Sequence, residues 1–376
     1  MSGLEIHGHA PPRFAAVKDA FAANFAEGLE VGARFTLVEA GETVLDIWAG
    51  HAERARKRPF AQDTLTPIFS STKAVAALMV ARLVDQGRLD YGWRVAEVWP
   101  DFAQAGKDQV TIEQALSHQA GLSGIPDPME PSLWFDWDAV CARIAATAPI
   151  WPPGTASGYG PSTFGFIAGE IFRRIDGRTI GHALREDICE PFGLDLWIGL
   201  PDSEHGRCAD MIRPNGLPNF GEVNPATKAA FLTPWSAPGG RGQGEWRRAE
   251  FPSANGHATA AALARLMGAL ADDGWLEGET ILSPAVIAEA ARERIRGQDL
   301  VLPYVVAWGA GFMRNDPVMI WGPGRETFGH AGWGGSCLFA DPERRLGGAY
   351  VMNRQSTDLI GDIRSRRLIE AAYQGL

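Results

Sequence analysis

This 376-residue sequence lacks the features that mark several classes of protein. It contains no apolar run of the roughly 20 residues needed to cross a bilayer, and Met1–Phe14 has no apolar core of the kind found in signal peptides. We therefore expect a soluble, cytoplasmic protein with no membrane partner. The net charge of −10 gives no basic footprint for nucleic acid, so no nucleic-acid partner is expected either.

Residues suited to metal binding and cross-linking are also scarce. The four cysteines are widely spaced and form no C-x-x-C pair, so neither a zinc site nor a disulfide framework is indicated. We expect buried free thiols, which suit a reducing compartment. His7 and His9 form an H-x-H near a terminus that we expect to be mobile, but no third ligand is apparent. No metal or organic cofactor is predicted.

Several common functional motifs are absent as well. No G-x-S-x-G occurs, and its nearest match, Gly334–Leu338, lacks the closing glycine, which argues against an α/β-hydrolase. The glycine-rich stretch Gly239–Gly244 fits neither a P-loop nor a dinucleotide fingerprint, so we interpret it as a flexible loop. The short basic run Arg54–Arg58 is expected to be a solvated loop.

Hydrophobic periodicity outlines the secondary structure. Pro12–Glu27 has the spacing of an amphipathic helix ended by Gly28, and Arg34–Glu39 with Thr43–Ala49 is typical of a hairpin. Ser71–Gln86 predicts a helix that is apolar on nearly all sides and belongs in a core. The other predicted helices are Thr111–His118, Asp138–Thr147, Thr163–Ile175, Ala258–Asp272, Pro284–Arg294 and Thr357–Tyr373. The other predicted strands are Ala307–Met313, Cys337–Ala340 and Gly347–Met352.

The order of these elements predicts an α+β fold in a single unit, residues 10–375. Two N-terminal strands cannot form a stable sheet alone, so we expect them to pair with the C-terminal strands in one antiparallel sheet flanked by the N- and C-terminal helices. This assigns 1–69 and 295–376 to a sheet lobe and 70–294 to an inserted all-helical lobe. The irregular segment 201–256 is expected to rim or cover a site, and the sequence leaves open whether it moves as a lid.

Ser70–Lys73 is the only S-x-x-K in the sequence, and it opens the most apolar predicted helix. Because a buried unpaired ammonium is costly, a lysine in this helix requires an explanation. One helical turn places Ser70 and Lys73 on the same face, within reach of each other. Burial lowers a lysine pKa, and the neutral amine can then accept the serine proton. The alternative is a helix N-cap beside a lysine whose amine extends to solvent.

Further motifs occur in a recognisable order between residues 69 and 342. They are Phe69–Lys73, Thr111–Leu122, Pro153–Gly154 with Tyr159, Asn255–His257, Gly329–Gly335 and Phe339–Pro342. Together they resemble the serine β-lactamase and penicillin-binding-protein superfamily, and within it the class C β-lactamase-like carboxylesterases called family VIII. The resemblance implies the sheet-plus-helical-lobe fold and a serine hydrolase that forms an acyl-enzyme.

The resemblance also implies roles for individual residues. Tyr159 matches the tyrosine of the family's Y-x-N element, which shares acid and base work with the lysine; the alternative is a loop aromatic that covers the core. Trp333 follows the position of the family's K-T-G triplet and would give one oxyanion N–H, while Ser70 gives the other. Each such donor contributes about 3 kcal/mol to the transition state.

The K-T-G triplet itself corresponds to His330, Ala331 and Gly332, which the resemblance places on the strand beside the site as substrate-binding residues. His330 remains open between a substrate contact and a histidine that only stabilises the strand. His118, in the segment similar to the family's T-x-x-x-L-L-S-H-T-S-G-L, is expected to brace the loop before Gly121.

Departures from the family pattern bear on the substrate. In relatives that bind lactams, an asparagine ends Y-x-N and a lysine and threonine hold the lactam carboxylate, whereas this chain has Pro161, His330 and Ala331. A missing hydrogen-bond partner costs a substrate about 1–3 kcal/mol, but a neutral ester does not need these anchors. Tryptophans in loop-like segments are candidates to line an apolar pocket: Trp134, Trp137, Trp151, Trp235, Trp246 and Trp321.

We therefore predict a carboxylesterase that hydrolyses small-molecule, short-acyl esters. The first alternative is a β-lactamase or D-amino-acid peptidase, and the second is a non-catalytic scaffold or binding protein. Acyl transfer to an alcohol is not distinguished from hydrolysis by the sequence. The natural substrate, stereopreference and oligomeric state also stay open.

Overall fold

The centre of the fold is a nine-stranded antiparallel sheet. The computed structural model describes residues 4–240 and 242–376, so Met1–Gly3 of the predicted sheet lobe and Arg241 of the glycine-rich loop lie outside the described residues. The predicted pairing of N- and C-terminal strands is confirmed. In spatial order the strands are Ile6–His9, Glu42–Gly50, Gly32–Glu39, Leu346–Met352, Cys337–Asp341, Phe328–Ala331, Met313–Arg314, Val305–Trp308 and Ile295–Gln298.

The helices cover both the sheet and the segment between its two halves. The predicted helices are confirmed to within a few residues, except that the last one begins at residue 363 instead of 357. The principal helices are Ala15–Ala26, Thr72–Asp85, Ile112–Leu116, Trp137–Ala146, Thr163–Asp176, Ala260–Ala271, Pro284–Ala291 and Ile363–Tyr373. Shorter helical turns are Val95–Val98, Ile180–Leu184, Arg185–Cys189, Pro225–Thr227, Lys228–Leu232 and Gly244–Arg248.

One strand prediction is wrong, and two edge strands were missed. The predicted strand Ala307–Met313 is wrong as one element, because the chain turns at Gly311 (φ +87°) and forms two strands on either side. Ile295–Gln298 was missed because its alternating polar residues lie on an edge strand. Ile6–His9 was also missed: the segment expected to be mobile pairs with Glu42–Gly50, and the His7 ring stacks on Trp48.

Helix Ala260–Ala271 illustrates how closely the layers pack. The prediction places it in the helical lobe, yet it packs on the sheet at Gly268 and Gly347. A Cβ added at Gly347 would lie 2.1 Å from the backbone nitrogen of Gly268, so only glycine allows this approach. The division into a 1–69/295–376 lobe and a 70–294 lobe stays a prediction.

A small three-stranded sheet holds the start of the S-x-x-K segment. Thr66–Pro67 pairs with His257–Ala258, which also pairs with Leu196–Trp197. The Ile68 backbone N–H continues the pairing by donating to the Gly256 carbonyl at 2.8 Å. The turn that carries Ser70 is therefore tied to a segment nearly 190 residues later in the chain.

The remaining sequence expectations concern cysteines and membranes. Cys141, Cys189, Cys208 and Cys337 are all buried and free, as predicted. Within 4–240 and 242–376, no helix is both long and apolar enough to cross a membrane.

Candidate active site

The turn that presents Ser70 is strained and firmly held. Phe69, immediately before it, has φ +46°, a left-handed conformation that bulky residues rarely adopt. The Thr72 hydroxyl donates to the Phe69 carbonyl at 2.6 Å and accepts from the Gly256 N–H at 2.9 Å. Strained backbone of this kind concentrates at functional sites, where the surrounding structure maintains it. Here Thr72 and Gly256 supply that support.

Lys73 lies directly beside Ser70 and is completely buried. Its Nζ is 3.1 Å from Ser70 Oγ, and it donates to the carbonyls of Pro161 at 3.0 Å and Ser253 at 2.9 Å. Burial lowers the pKa of Lys73 well below its usual range. A neutral amine has two N–H donors and one lone pair. The two carbonyls accept both donors, which leaves the lone pair for the Ser70 hydroxyl.

Tyr159 completes this group from a separate loop. Its ring lies 4.8 Å from Lys73 Nζ and stacks against Trp308, with 5.8 Å between ring centroids. Burial raises the pKa of Tyr159, while a hydrogen bond with Ser70 opposes that rise. The phenol therefore stays protonated at neutral pH. The structure brings Ser70, Lys73 and Tyr159 together.

Asp299 fixes the Tyr159 loop, and sequence reasoning missed it. Its carboxylate accepts from the backbone N–H of Tyr159 at 3.0 Å and from the Ser157 hydroxyl at 2.9 Å. It also accepts from the backbone N–H groups of Val301 and Leu302, at 2.9 and 3.0 Å. A buried carboxylate with several donors is a stable anchor, so Asp299 is a positioning residue for Tyr159. No local pattern marks it, because the residues it joins are about 140 positions apart.

Asp299→Ala is expected to reduce kcat by about tenfold and to leave KM nearly unchanged. Alanine removes Oδ1, which accepts from the three backbone N–H groups, and Oδ2, which accepts from the Ser157 hydroxyl. Each buried donor left unsatisfied costs about 1–3 kcal/mol. The Tyr159 loop then loses its fixed geometry, and misplaced catalytic groups lower the rate. Steady-state kinetics, with thermal unfolding of the same samples, test this. A lower melting temperature with unchanged kcat would make Asp299 purely structural.

Two buried histidines lie against the Tyr159 ring. His118 Nδ1 accepts from the Gly160 N–H at 3.2 Å, so this histidine braces the Tyr159 loop more directly than the loop before Gly121. Burial lowers the pKa of His118 well below its usual range and that of His330 to about 3. His330 Nδ1 lies 2.8 Å from the Ala331 carbonyl, and the residue lines the pocket. Both imidazoles are thus neutral and add no positive charge beside Lys73.

The turn Gly332–Ser336 lies against the Ser70 turn. The Ser336 hydroxyl donates to the Ile68 carbonyl at 2.7 Å, and the Gly332 N–H donates to the Ser336 carbonyl at 2.7 Å. A Cβ at Gly332 would lie 2.4 Å from the Ile68 carbonyl oxygen, so glycine is required. Trp333 lines the pocket and meets the Phe69 ring edge-on at 6.3 Å. Its predicted oxyanion role stays a prediction.

A buried ionic network supports this turn from the other side. Arg364 donates to the Gly334 carbonyl at 2.6 Å and to the Asp362 carboxylate at 2.7 Å. It also pairs with Glu30 at 3.2 Å, and Glu30 accepts from the Tyr350 hydroxyl. Burial raises the pKa of Glu30 to about 8 against the opposing effect of Arg364. Breaking the buried Arg364–Asp362 pair would leave an uncompensated charge, so Arg364 holds the turn strongly.

The pocket above Ser70 has a volume of about 200 Å³ and mostly apolar walls. The irregular segment 201–256 supplies much of the rim, as expected, including Leu217, Phe231 and Trp246. Of the six candidate tryptophans, Trp246 alone lines the pocket among the described residues, and the prediction for the other five is wrong. Their rings pack elsewhere: Trp134 and Trp137, for example, contact Phe166 in helix Thr163–Asp176.

Comparison with known proteins agrees with this geometry. A family model described as Beta-lactamase matches residues 21–373. This protein belongs to the beta-lactamase family. Esterase/beta-lactamase LipL of Mycobacterium tuberculosis is 33% identical over 374 residues, which span 96% of this chain and 85% of that protein.

Two solved structures superpose closely on the chain. A penicillin-binding protein homologue from Caulobacter crescentus is 65% identical, with a TM-score of 0.97 and coverage of 99% of this chain and 100% of the other. A family VIII carboxylesterase is 44% identical, with a TM-score of 0.93 and the same coverage. The resemblance to family VIII and the predicted α+β fold are confirmed.

Besides Asp299, sequence reasoning missed Ser253. Its carbonyl accepts from Lys73, and its hydroxyl donates to the Ser162 carbonyl at 2.7 Å and accepts from the Gly165 N–H at 2.6 Å. Ser253 thus connects Lys73 to the start of helix Thr163–Asp176. The nearby motif Asn255–His257 was the only signal, and it pointed to the segment without identifying the residue.

Proposed function

We propose that this beta-lactamase family member is a carboxylesterase that hydrolyses small neutral esters through an acyl-enzyme on Ser70. The observation that carries the proposal is the combination of Ser70 beside a neutral Lys73 with an uncharged pocket. Among the residues that the structure describes, no lysine, arginine or carboxylate lines this pocket, and His330 is neutral. A neutral ester fits such walls, whereas a lactam carboxylate finds no cation.

The chemistry begins with proton transfer from Ser70 to the lone pair of Lys73 as Ser70 Oγ attacks the ester carbonyl. The resulting oxyanion is held by the backbone N–H groups of Ser70 and Trp333. The Lys73 ammonium then returns the proton to the departing alkoxide by way of the Tyr159 hydroxyl. Water attacks the acyl-enzyme with the same groups in the reverse roles, and the acid is released.

Pocket size favours short acyl chains. Drug-sized ligands occupy pockets of about 300–1,000 Å³, and this pocket is smaller, at about 200 Å³. The name of the relative LipL includes both esterase and beta-lactamase. For this chain Pro161, His330 and Ala331 favour the ester, because they lack the donors that the family uses for a lactam. A cytoplasmic location is also part of the proposal.

A series of p-nitrophenyl esters measured beside a chromogenic cephalosporin tests the function. We expect kcat/KM to peak at short acyl chains and to exceed that for the cephalosporin by at least about 100-fold, because two anchors worth about 1–3 kcal/mol each are missing. Mass spectrometry of the quenched reaction is expected to show the acyl group on Ser70. A cephalosporin hydrolysed faster than every ester would identify a β-lactamase instead.

A further inference from the structure

A second cleft, separate from the ester pocket, is lined by five arginines and one aspartate. It has a volume of about 500 Å³ and is formed by four chain segments together with the start of helix Ile363–Tyr373. Arg364, in that helix, pairs with Asp362 and Glu30, and the other four arginines are Arg54, Arg56, Arg213 and Arg354. Arg54 and Arg56 belong to the basic run Arg54–Arg58, which the sequence analysis interpreted as a solvated loop. In the structure this loop forms part of the lining of the cleft.

These four arginines differ from most others in the molecule because they have no acidic partner. Typical arginines here lie within 4.0 Å of a carboxylate, as Arg34 does with Asp46. In the part of the chain that the structure describes, none of the four forms such a pair, and their one side-chain hydrogen bond runs from Arg354 to the Gly28 carbonyl at 2.6 Å. Asp362, the carboxylate in the described lining of the cleft, is paired with Arg364 at 2.7 Å. Glu53 and Asp210 line an adjoining hollow together with Arg54 and Arg213. Like charges gathered in one cleft repel, and an anion relieves that repulsion.

The backbone around the cleft is held in place. Arg58 donates to the Gly206 and Cys208 carbonyls at 3.1 and 2.7 Å, which fixes the loop that carries Arg54 and Arg56. Arg213 and Arg354 are brought side by side because Ile212 pairs with Arg354 as a short parallel bridge. The arginines are therefore presented from hydrogen-bonded backbone on three separate segments of the chain. Guanidinium groups match phosphate and carboxylate with two parallel hydrogen bonds each.

We propose that this cleft binds a compact, soluble polyanion with two or more phosphate or carboxylate groups. Four guanidinium groups without a carboxylate partner supply the charge, and a concave cleft of this volume admits a small molecule better than it meets a flat anionic membrane. The protein as a whole carries a net charge of −10, so these arginines form a locally positive region on a negatively charged protein. The ester pocket has no cation in its described lining, so the polyanion is expected not to compete with ester substrates.

Titration calorimetry with pyrophosphate and with citrate, at 150 mM NaCl on the full chain, tests the proposal. We expect saturable one-to-one binding of at least one of the two probes, and their comparison assigns phosphate or carboxylate as the preferred group. The double variant Arg54→Gln/Arg213→Gln is expected to bind at least 10-fold more weakly, with unchanged ester turnover. Lys18→Gln removes an exposed charge elsewhere and is expected to bind as the unaltered protein does.

Three results would overturn the proposal. The first is the absence of saturable binding for both probes, and the second is equal affinity in the double variant and in Lys18→Gln, which would indicate non-specific attraction. The third is binding to phosphatidylglycerol vesicles while both soluble probes fail, which would make the patch a membrane contact. Circular dichroism and melting temperature without ligand show that the variants are folded before affinities are compared.

Discussion

Ser70→Ala is expected to lower kcat/KM for ester hydrolysis by at least about 10⁴-fold. The variant removes the hydroxyl that lies 3.1 Å from Lys73 Nζ, and in a well-studied serine protease loss of the nucleophile alone costs about 10⁶-fold in kcat. Alanine is compatible with a helix start, and among buried groups only the Lys73 amine and the Tyr159 hydroxyl lose a hydrogen-bond partner, so the fold is expected to persist. Turnover of a chromogenic ester, with circular dichroism of the same sample, measures both.

A fluorophosphonate probe gives an independent readout of the same residue. The unaltered protein is expected to gain one adduct by intact mass, and Ser70→Ala is expected to gain none. Ser203→Ala, which alters an exposed serine far along the chain, serves as the control and is expected to label fully. Ester turnover that survives in Ser70→Ala would remove Ser70 as the nucleophile. Failure of the unaltered protein to label would favour a non-catalytic protein.

Lys73→Met is expected to reduce kcat by about 10³- to 10⁴-fold. Methionine fills a similar volume but has no lone pair in the position that accepts the Ser70 proton, and general base catalysis contributes about 10²- to 10⁴-fold. KM is expected to change little, since Lys73 is completely buried and does not line the pocket. Steady-state kinetics on a short-chain ester measure the two constants separately.

The pH profile of the unaltered enzyme follows from the same residue. Because burial lowers the pKa of Lys73, the amine is neutral over a pH range where an exposed lysine carries a proton. Below that lowered pKa the amine becomes an ammonium and cannot accept the Ser70 proton, so kcat/KM falls as the pH falls. Lys73→Met is expected to lose this acidic limb. A limb that persists unchanged in the variant would assign the titration to another group.

Lys107 offers a matched control because it is the other buried lysine. Its Nζ donates to three carbonyls, those of Gln104, Ala145 and Thr147, at 2.7, 2.9 and 2.7 Å. All three ammonium protons are therefore used, whereas Lys73 has a serine hydroxyl in its third position. Lys107→Met is expected to lower the melting temperature and to leave kcat of the folded enzyme unchanged. Equal kinetic losses in both variants would mean that Lys73 is only structural.

The parts of the site that the sequence predicts are those encoded locally. Ser70 and Lys73 share one helical turn, so their proximity follows from the helix period alone. The hairpin formed by Gly32–Glu39 and Glu42–Gly50 was likewise visible as alternating apolar residues. Tyr159 could be placed only by resemblance, because nothing in its own loop indicates that Asp299 and Trp308 hold it next to Lys73.

Long-range hydrogen bonds account for what was missed. The Lys73–Ser253 and Tyr159–Asp299 bonds join residues 180 and 140 positions apart, and neither serine nor aspartate at those positions breaks a local rule. The split strand around Gly311 was missed for a related reason, since an apolar run does not show where the chain turns. Edge strands such as Ile295–Gln298 escape because half of their residues are exposed and polar.

The hydrogen bond from Arg364 to the Gly334 carbonyl has a consequence for the stage of synthesis and folding at which the active site is complete. A chain is synthesised from its N-terminus, so Ser70, Lys73 and Tyr159 are all made before Arg364 is. Until helix Ile363–Tyr373 has docked beside Glu30, the Gly332–Ser336 turn lacks this support. We therefore expect ester hydrolysis only after this helix has docked, so that a partly synthesised chain would not yet carry a working nucleophile.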